Sequence, residues 1–265
     1  MSQTTELDFA KELAYEAGKI MSRYFRAEDI GTIAKKDNTP VTIADLKIND
    51  LVIEKVRKMF PEHGILGEEK SYKEDRDLIW VVDPIDGTIP FTLGMPISTF
   101  SIALVDRIDG QPTVAVTYDP YMDHLYSAVK GKGAYLNNTK IHTSKSTSFI
   151  NECVSIHGPT VRSEKRSYFP GKVIDLVRDE DGRNINLPSG IYLANKIASG
   201  EMLCSVFGPG YVWDVASIAL LVKEAGGIVT DMDGNKRRYD INGLTSVMSA
   251  NKTIHQKMLN ILEAL

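Results

Sequence analysis

Two carboxylates lie three residues apart in the segment Asp83–Thr88, which reads Asp-Pro-Ile-Asp-Gly-Thr and directly follows the apolar run Leu78–Val82. Hard divalent cations take oxygen ligands, and Mg²⁺ is usually held by a few carboxylates together with water and substrate phosphate. The segment therefore predicts a site for a metal ion and a phosphate group. Asp-Pro and Asp-Gly are also common turn pairs, so the segment alone is equally compatible with a simple tight turn.

Four other carboxylates occupy positions from which they could join such a site. Glu68 and Glu69 follow a short apolar run that ends in a glycine, although a solvated acidic pair is the alternative. Asp214 precedes a predicted helix that it could cap, and capping would not exclude metal binding. Asp45 lies at capping-box spacing from Thr42, and the local pattern by itself favours that structural role.

The composition is that of an ordinary globular protein, with 265 residues, a formal net charge of −4 and 25% charged residues. A mildly acidic net charge does not indicate the basic surface that nucleic-acid binding needs. Cys153 and Cys204 form neither a CxxC pair nor a zinc pattern, which favours a reducing, cytoplasmic setting. The start lacks the order of a signal peptide, and no apolar run approaches the roughly 20 residues of a membrane span. We therefore expect neither a nucleic-acid nor a membrane partner.

The rest of the sequence does not indicate a second kind of catalytic site. The chain contains no Walker loop, GxSxG elbow or HExxH pair. The five histidines are scattered, and we expect each to be a surface or structural residue. The Gly-Lys-Gly sequence at residues 131–133 is interpreted as a turn, because a lone Gly-x-Gly is a weak signal.

Hydrophobic periodicity predicts the elements that must position the carboxylates. Apolar residues at helical spacing predict helices over residues 5–26 and 41–60. Between residues 65 and 144 the pattern changes to short apolar runs separated by Gly, Pro and Asp. These runs predict strands, at Leu78–Val82, Thr99–Asp106, Thr113–Asp119 and His124–Val129.

The second half of the chain predicts alternating helices and strands. Helices are expected over residues 191–200, 213–225 and 253–265, with a strand over 228–231. The best internal boundary lies near residue 145. We expect an N-terminal subdomain of residues 1–145 with most of the metal ligands, and a C-terminal α/β subdomain of residues 146–265 with Asp214 and the substrate-selectivity segment.

Taken together, several segments resemble the inositol monophosphatase family, in matching order and spacing over nearly the whole chain: Lys36–Asp45, Gly67–Glu69, Asp83–Thr88, Trp213-Asp214 and Glu224–Gly227. The resemblance implies an α+β fold, the layered αβαβα sandwich of the sugar-phosphatase superfamily. It implies a magnesium-dependent, lithium-sensitive phosphatase of small phosphate monoesters, with a homodimer as the commonest assembly. It also implies that the carboxylates at 45 and 214 belong to the site.

The ligand set implied by the resemblance holds two to three Mg²⁺ ions per active site. Glu68, Asp83 and the carbonyl of Ile85 would hold the first ion. Asp83, Asp86 and Asp214 would hold the second. Glu68 would also help to hold a third, more weakly bound ion through water.

The resemblance also implies catalytic roles. Glu68 and Thr88 would orient and deprotonate the attacking water, with Asp45 beside the water network. The backbone amides of Gly87 and Thr88 would cradle the phosphate at the start of a helix. Two further side chains carry weaker assignments near this network: Lys36 and Glu69.

Two positions depart from the family pattern. Members often carry Asn two residues after the motif threonine, where this chain has Pro90, which the first turn of a helix tolerates. Inositol-selective members place a glutamate seven residues before the last aspartate to bind a substrate hydroxyl. This chain has Phe207 there, and an aromatic ring cannot accept that hydrogen bond. We expect a preferred substrate other than myo-inositol phosphate, in a pocket formed by Gly87, Thr88, Gly190, Phe207 and Asp214.

Several functions remain open from the sequence. The leading hypothesis is hydrolysis of an inositol-1-phosphate-like or related phosphorylated alcohol by metal-activated water. Histidinol phosphate is an alternative, because residues 36–42 and 63–69 resemble the family's histidinol-phosphate phosphatases. A sugar bisphosphate or a 3′-phosphonucleotide is a further alternative, although we find no convincing basic cluster near the motifs for a second phosphate. A non-catalytic binding protein of the same fold is the rival from another class, and the intact ligand set argues against it.

Overall fold

The computed structural model describes residues 3–27, 31–34, 40–158 and 169–264. Within these ranges the helices are α1 (Gln3–Tyr24), α2 (Ile43–Met59), α3 (Thr88–Thr92), α4 (Phe169–Asp179), α5 (Gly190–Ala198), α6 (Ala216–Glu224) and α7 (Lys252–Glu263). The strands are β1 (Ile33–Ala34), β2 (Pro40–Val41), β3 (Gly64–Gly67), β4 (Leu78–Asp86), β5 (Thr99–Asp106), β6 (Gln111–Asp119), β7 (His124–Val129), β8 (Ala134–Leu136), β9 (Thr139–Ile141), β10 (Cys153–His157), β11 (Arg183–Asn184), β12 (Cys204–Gly210), β13 (Ile228–Thr230) and β14 (Leu244–Ser249).

The first large sheet has the strand order β3-β4-β5-β6-β7-β8-β9 among the described residues. Strand β3 runs parallel to β4, and the later neighbours are antiparallel, joined by short turns. Strand β4 is apolar almost throughout and buried on both faces, because helices cover both sides of the sheet. The parallel pairing places the ends of β3 and β4 at one edge of the sheet.

The second large sheet has the order β11-β10-β12-β14-β13. Strands β10, β11 and β12 are parallel, whereas β14 is antiparallel to both β12 and β13. In the β10–β12 register, His157 lies opposite Phe207. The register of β12 with β14 shifts between Phe207 and Gly210, where the chain leaves the sheet toward Asp214.

The elements form a layered αβαβα sandwich, as the sequence predicts. Helices α1 and α2 pack on the outer face of the first sheet, α5 and α6 lie between the two sheets, and α4 and α7 cover the second. Two hydrophobic clusters fill the layers. The larger one joins β4 and β5 to α5, α6 and the second sheet, so both halves of the chain share a core.

The boundaries differ from the expected ones by a few residues. Strand β4 continues from Val82 to Asp86, because Pro84 and Ile85 stay extended and buried. Helix α6 begins at Ala216 rather than Trp213. We propose that the chain divides at residues 145/146, between the last strand of the first sheet and the first strand of the second. Cys153 and Cys204 are both free thiols. Within the described ranges, no helix has the length and apolarity that a membrane crossing needs.

Candidate active site

The segment Asp83–Thr88 contains the last four residues of β4 and then turns at Gly87 into α3. The pairing of β4 with β5 shifts in register between Asp83 and Asp86, and the amide of Ile85 donates to Asp83 Oδ1 at 3.0 Å. Gly87 follows with φ of +83°, a left-handed conformation that glycine adopts without steric cost. A Cβ at this position would lie 2.9 Å from Ser189 Cβ, so the approach of the second half of the chain also requires glycine. A simple tight turn over the whole segment is therefore wrong, because Asp83–Asp86 are strand residues and the chain turns only at Gly87, between β4 and α3.

Asp45 is fully buried at the start of α2 and approaches this turn. Its Oδ2 accepts from the Thr42 amide at 2.8 Å and from the Thr42 hydroxyl at 2.5 Å, so the predicted capping box is present. The Thr88 hydroxyl lies 3.5 Å from Asp45 Oδ1 and donates to the Ile85 carbonyl at 3.2 Å. Burial raises the pKa of Asp45 to about 7, against the lowering effect of the Thr42 hydrogen bonds. The capping role and proximity to the turn thus coexist.

Glu68 lies at the end of β3, next to the turn. Gly67 pairs with Val82, and the Glu68 amide donates to the Val82 carbonyl at 3.1 Å, which brings Glu68 beside Asp83. Burial, and then the charge of Glu68, raises the pKa of Asp83 well above its ordinary value. The charge of Glu69 contributes to the raised pKa of Asp45.

Asp86 connects the turn to helix α5 of the second half. Its Oδ2 accepts from the Ser189 hydroxyl at 2.5 Å and from the Ile191 amide at 2.9 Å. The Tyr192 amide is a further donor to the same carboxylate. Burial raises the pKa of Asp86 to about 6, although these hydrogen bonds lower it. Asp86 therefore occupies the position of a capping group for a helix that is distant in sequence.

Asp214 lies between β12 and α6 and does not cap the helix that follows. The N-cap position belongs to Val215, which makes no side-chain capping bond. The structural alternative for Asp214, a cap on α6, is therefore excluded, and Asp214 instead accepts from the Tyr211 amide. Burial, and then the charge of Glu68 and that of Asp86, raises the pKa of Asp214 well above its ordinary value.

The carboxylates, of which Asp45 and Asp83 are buried and the others half-buried, thus form a mutually repelling group of oxygen donors, which is the donor chemistry that Mg²⁺ prefers. The charges of Glu68, Asp86 and Asp214 all raise the pKa of Asp83. As the side chains stand, no three Asp, Glu, His or Cys residues in the described part of the chain are arranged to hold a metal ion. Protein donors occupy some of the oxygens: Asp45 Oδ2, Asp83 Oδ1 and Asp86 Oδ2 all accept hydrogen bonds. The donor set fits a divalent cation in its chemistry.

The predicted substrate residues Gly190 and Phe207 are in contact. A Cβ at Gly190 would lie 2.7 Å from Phe207 Cε1, so only glycine fits beside the ring. Phe207 is buried, and its ring stacks on His157 with centroids 4.5 Å apart. Lys36 lies outside the described residues.

Two residues near the carboxylates were missed by the sequence reasoning. Ser189, whose hydroxyl bonds to Asp86, directly precedes α5 and the predicted pocket residue Gly190, and a serine before a predicted helix was the available signal. Arg237 is 2% exposed, and its guanidinium donates to Ser246 Oγ and to the Thr245 carbonyl. Its charge opposes the rise in the pKa of Asp214. No local pattern marks Arg237, because its burial depends on the packing of a polar loop against β14.

Comparison with known proteins gives consistent matches over the whole chain. The model of the "Inositol monophosphatase family" matches residues 2–265. "Nus factor SuhB" of Pasteurella multocida is 32% identical over 86% of this chain and 85% of its own length. "Histidinol-phosphatase" of Chlorobaculum parvum is 31% identical over 93% of each chain. The solved structure of a Thermotoga maritima IMPase has a TM-score of 0.85 and 27% identity, and covers 98% of this chain and 97% of that one.

Proposed function

Because the chain belongs to the inositol monophosphatase family, we propose that it hydrolyses an inositol-1-phosphate-like or related phosphorylated alcohol with two to three Mg²⁺ ions per active site. The protein is a phosphoric monoester hydrolase that acts on small phosphate monoesters, and its family is generally metal-dependent. What we propose is the identity of the metal ion, the residues that hold it and the alcohol of the substrate.

One observation supports a divalent cation above all others. Asp83 is 2% exposed and lies within the electrostatic reach of Glu68, Asp86 and Asp214. A buried carboxylate surrounded by like charges is unfavourable unless a cation neutralises it. In the proposed arrangement, Glu68, Asp83 and the Ile85 carbonyl hold one ion, and Asp83, Asp86 and Asp214 hold another. Glu68 also holds a third, more weakly bound ion through water.

The bound cations would supply positive charge that stabilises the attacking and departing oxygens of an in-line displacement. In our proposal the Thr88 hydroxyl positions the attacking water, because it already donates to the Ile85 carbonyl and retains acceptor capacity. Glu68 accepts the proton of that water. Asp45, 3.5 Å from the Thr88 hydroxyl and with its pKa raised by burial to about 7, buffers protons beside it.

The backbone amides of Gly87 and Thr88 are proposed to bind the phosphate. Helix α3 has only five residues, so these amides would act through direct hydrogen bonds rather than through a helix dipole. Asp214, Gly190 and Phe207 are proposed to border the alcohol. Glu69 and Lys36 are proposed to support this network. The charge of Glu69 contributes to the raised pKa of Asp45, so the two carboxylates lie within electrostatic reach of each other.

The test is phosphate release from a panel of monoesters, measured with millimolar Mg²⁺ and after chelation with EDTA. We expect activity only with Mg²⁺, inhibition by Li⁺, and loss of activity in Asp86→Asn, since the amide keeps the shape but not the charge. Asp50→Asn is the matched control, because Asp50 forms a surface ion pair with Lys70. Near-normal turnover of Asp86→Asn with Mg²⁺ would contradict the ligand assignment.

Histidinol phosphate is the second candidate substrate, in line with the name of the Chlorobaculum parvum relative. A sugar bisphosphate or a 3′-phosphonucleotide stays a weaker alternative. A non-catalytic role is the remaining candidate, since another relative is named as a Nus factor. The panel separates them: no turnover of any monoester by folded, Mg²⁺-loaded protein would favour the non-catalytic role. We also infer a cytoplasmic homodimer, which light scattering and cell fractionation would test.

A further inference from the structure

A stacked aromatic pair replaces a polar group at the predicted selectivity position. Phe207 on β12 lies opposite His157 on β10, and their rings are 4.5 Å apart and 16° from parallel. Phe207 is only 7% exposed. The strand register therefore fixes the partner of Phe207, and His157 holds its ring in one orientation.

This pair borders the end of α5 that carries the donors to Asp86. A Cβ at Gly190 would be 2.7 Å from Phe207 Cε1 and 3.8 Å from His157 Cε1. The preceding residue, Ser189, donates to Asp86. Gly190 thus lies between the stacked rings and Ser189, whose hydroxyl donates to the proposed metal ligand Asp86.

The pair is weakly polar. His157 Nε2 lies 3.1 Å from Ser155 Oγ, which in turn bonds to Ser205 Oγ, so this ring nitrogen already has a partner. Burial lowers the pKa of His157 to about 4, so the imidazole is neutral at pH 7. A polyol hydroxyl placed against this pair would contact mainly ring carbon atoms. Burying a hydroxyl without a hydrogen-bond partner costs free energy, because the hydroxyl loses its bonds to water.

A second stacked pair flanks Asp214. The rings of Tyr211 and Trp213 are 4.5 Å apart and 9° from parallel, and both residues are only partly buried. Trp213 directly precedes Asp214, and the Tyr211 amide donates to it. A partly exposed pair of flat rings offers a face for another ring, because offset stacking adds to the gain from burial.

We propose that the alcohol of the substrate carries a planar aromatic or heteroaromatic ring, which lies against these two pairs, and that His157 is a specificity-determining positioning residue that acts through Phe207. The proposal rests on the function proposed above and names the substrate class of the same site. A phosphate monoester with such a ring gains stacking, whereas a polyol loses hydrogen bonds to water without replacement.

The experiment compares kcat/KM for phosphate esters that differ in the alcohol alone. Benzyl phosphate supplies a planar ring, and cyclohexylmethyl phosphate supplies an apolar ring of similar size that is not planar. Inositol 1-phosphate and glycerol 2-phosphate supply polyols. With Mg²⁺, we expect the kcat/KM for benzyl phosphate to exceed that for each of the others by about fivefold or more, from the usual energy of aromatic pairing.

The variants His157→Ala, His157→Phe and Trp213→Leu locate the effect. His157→Ala and Trp213→Leu should raise KM for benzyl phosphate about three- to tenfold, with kcat within about twofold. His157→Phe keeps the stacking and should retain the preference. The matched control is His63→Ala, because His63 also stacks on a phenylalanine, Phe60, at the opposite end of β3 from Glu68.

The outcomes separate this inference from the proposed function. Equal or better use of either polyol or of cyclohexylmethyl phosphate overturns the aromatic class while hydrolysis itself stands. A His157→Ala variant that keeps the wild-type ratio of benzyl to glycerol phosphate overturns the positioning role. Equal loss of the preference in His63→Ala also overturns it, because the effect would then be one of general stability. Absence of phosphate release from every ester contradicts the proposed function itself.

Discussion

Removal of the Ser189 hydroxyl tests whether helix α5 positions a metal ligand. This hydroxyl is buried, at 1% exposure of the residue, and donates to Asp86 Oδ2 at 2.5 Å. It makes no capping bond to its own helix. In Ser189→Ala, the Ile191 amide still donates to the same oxygen at 2.9 Å and the Tyr192 amide remains a further donor, so the carboxylate loses one of its three hydrogen bonds from α5.

The magnitude follows from the charge of the acceptor. A hydrogen bond to a charged group is worth roughly 1.5–3 kcal/mol, and the remaining Ile191 bond favours the lower part of that range. A loss of about 1.5–2 kcal/mol corresponds to roughly 10- to 30-fold in an equilibrium constant, which agrees with the usual cost of removing a group that orients a ligand. We expect the Mg²⁺ concentration for half-maximal activity to rise by about this factor.

The assay is a Mg²⁺ titration of phosphate release at saturating substrate, with thermal unfolding in EDTA as a check on folding. Ser189→Thr should restore near-wild-type behaviour, because it keeps the donor. Ser199→Ala is the control, since that hydroxyl donates to the Asn195 carbonyl near the other end of α5 and not to Asp86. An unchanged or lower Mg²⁺ requirement in Ser189→Ala would refute the reasoning, because it would mean that Asp86 must leave α5 before it binds metal.

Three further predictions concern other parts of the molecule. Glu224 accepts from the amides of Gly131 and Gly133 at 2.7 and 2.8 Å, so Glu224→Ala should lower the free energy of unfolding by about 1.5–3 kcal/mol and Glu224→Gln by less, measured by urea denaturation. Burial raises the pKa of Asp45 to about 7 and that of Asp86 to about 6. Above pH 3.8 the folded state therefore binds more protons than the unfolded state. The unfolding temperature in EDTA should consequently fall from about pH 5 to about pH 8. Added Mg²⁺ should reverse this fall at pH 8, and a flat profile in EDTA would contradict the buried cluster. Phe207→Glu should raise activity on inositol 1-phosphate relative to benzyl phosphate, and an unchanged ratio would remove residue 207 from the pocket.

The sequence predicted well those elements whose pattern is local. The capping box of Thr42 and Asp45 is present at the start of α2, and the strands Thr99–Asp106 and His124–Val129 have the expected bounds. It failed where backbone contacts override propensity. Helix α6 begins at Ala216 because residues 211–215 form a turn in which Val215 and Ala216 donate to the Val212 carbonyl, which removes Asp214 from the cap position.

The sequence by itself determined the family resemblance, which implies the layered fold, and which carboxylates occur at strand and helix ends, because motif spacing and periodicity are properties of neighbouring residues. The assignment of those carboxylates as ligands stays a prediction. Only the tertiary structure decided what each one contacts. Asp86 meets Ser189 across 103 residues, and Phe207 meets His157 across parallel strands. The first contact depends on how the two sheets pack around α5 and the second on how β10 pairs with β12, and local sequence carries no information about a partner so far along the chain.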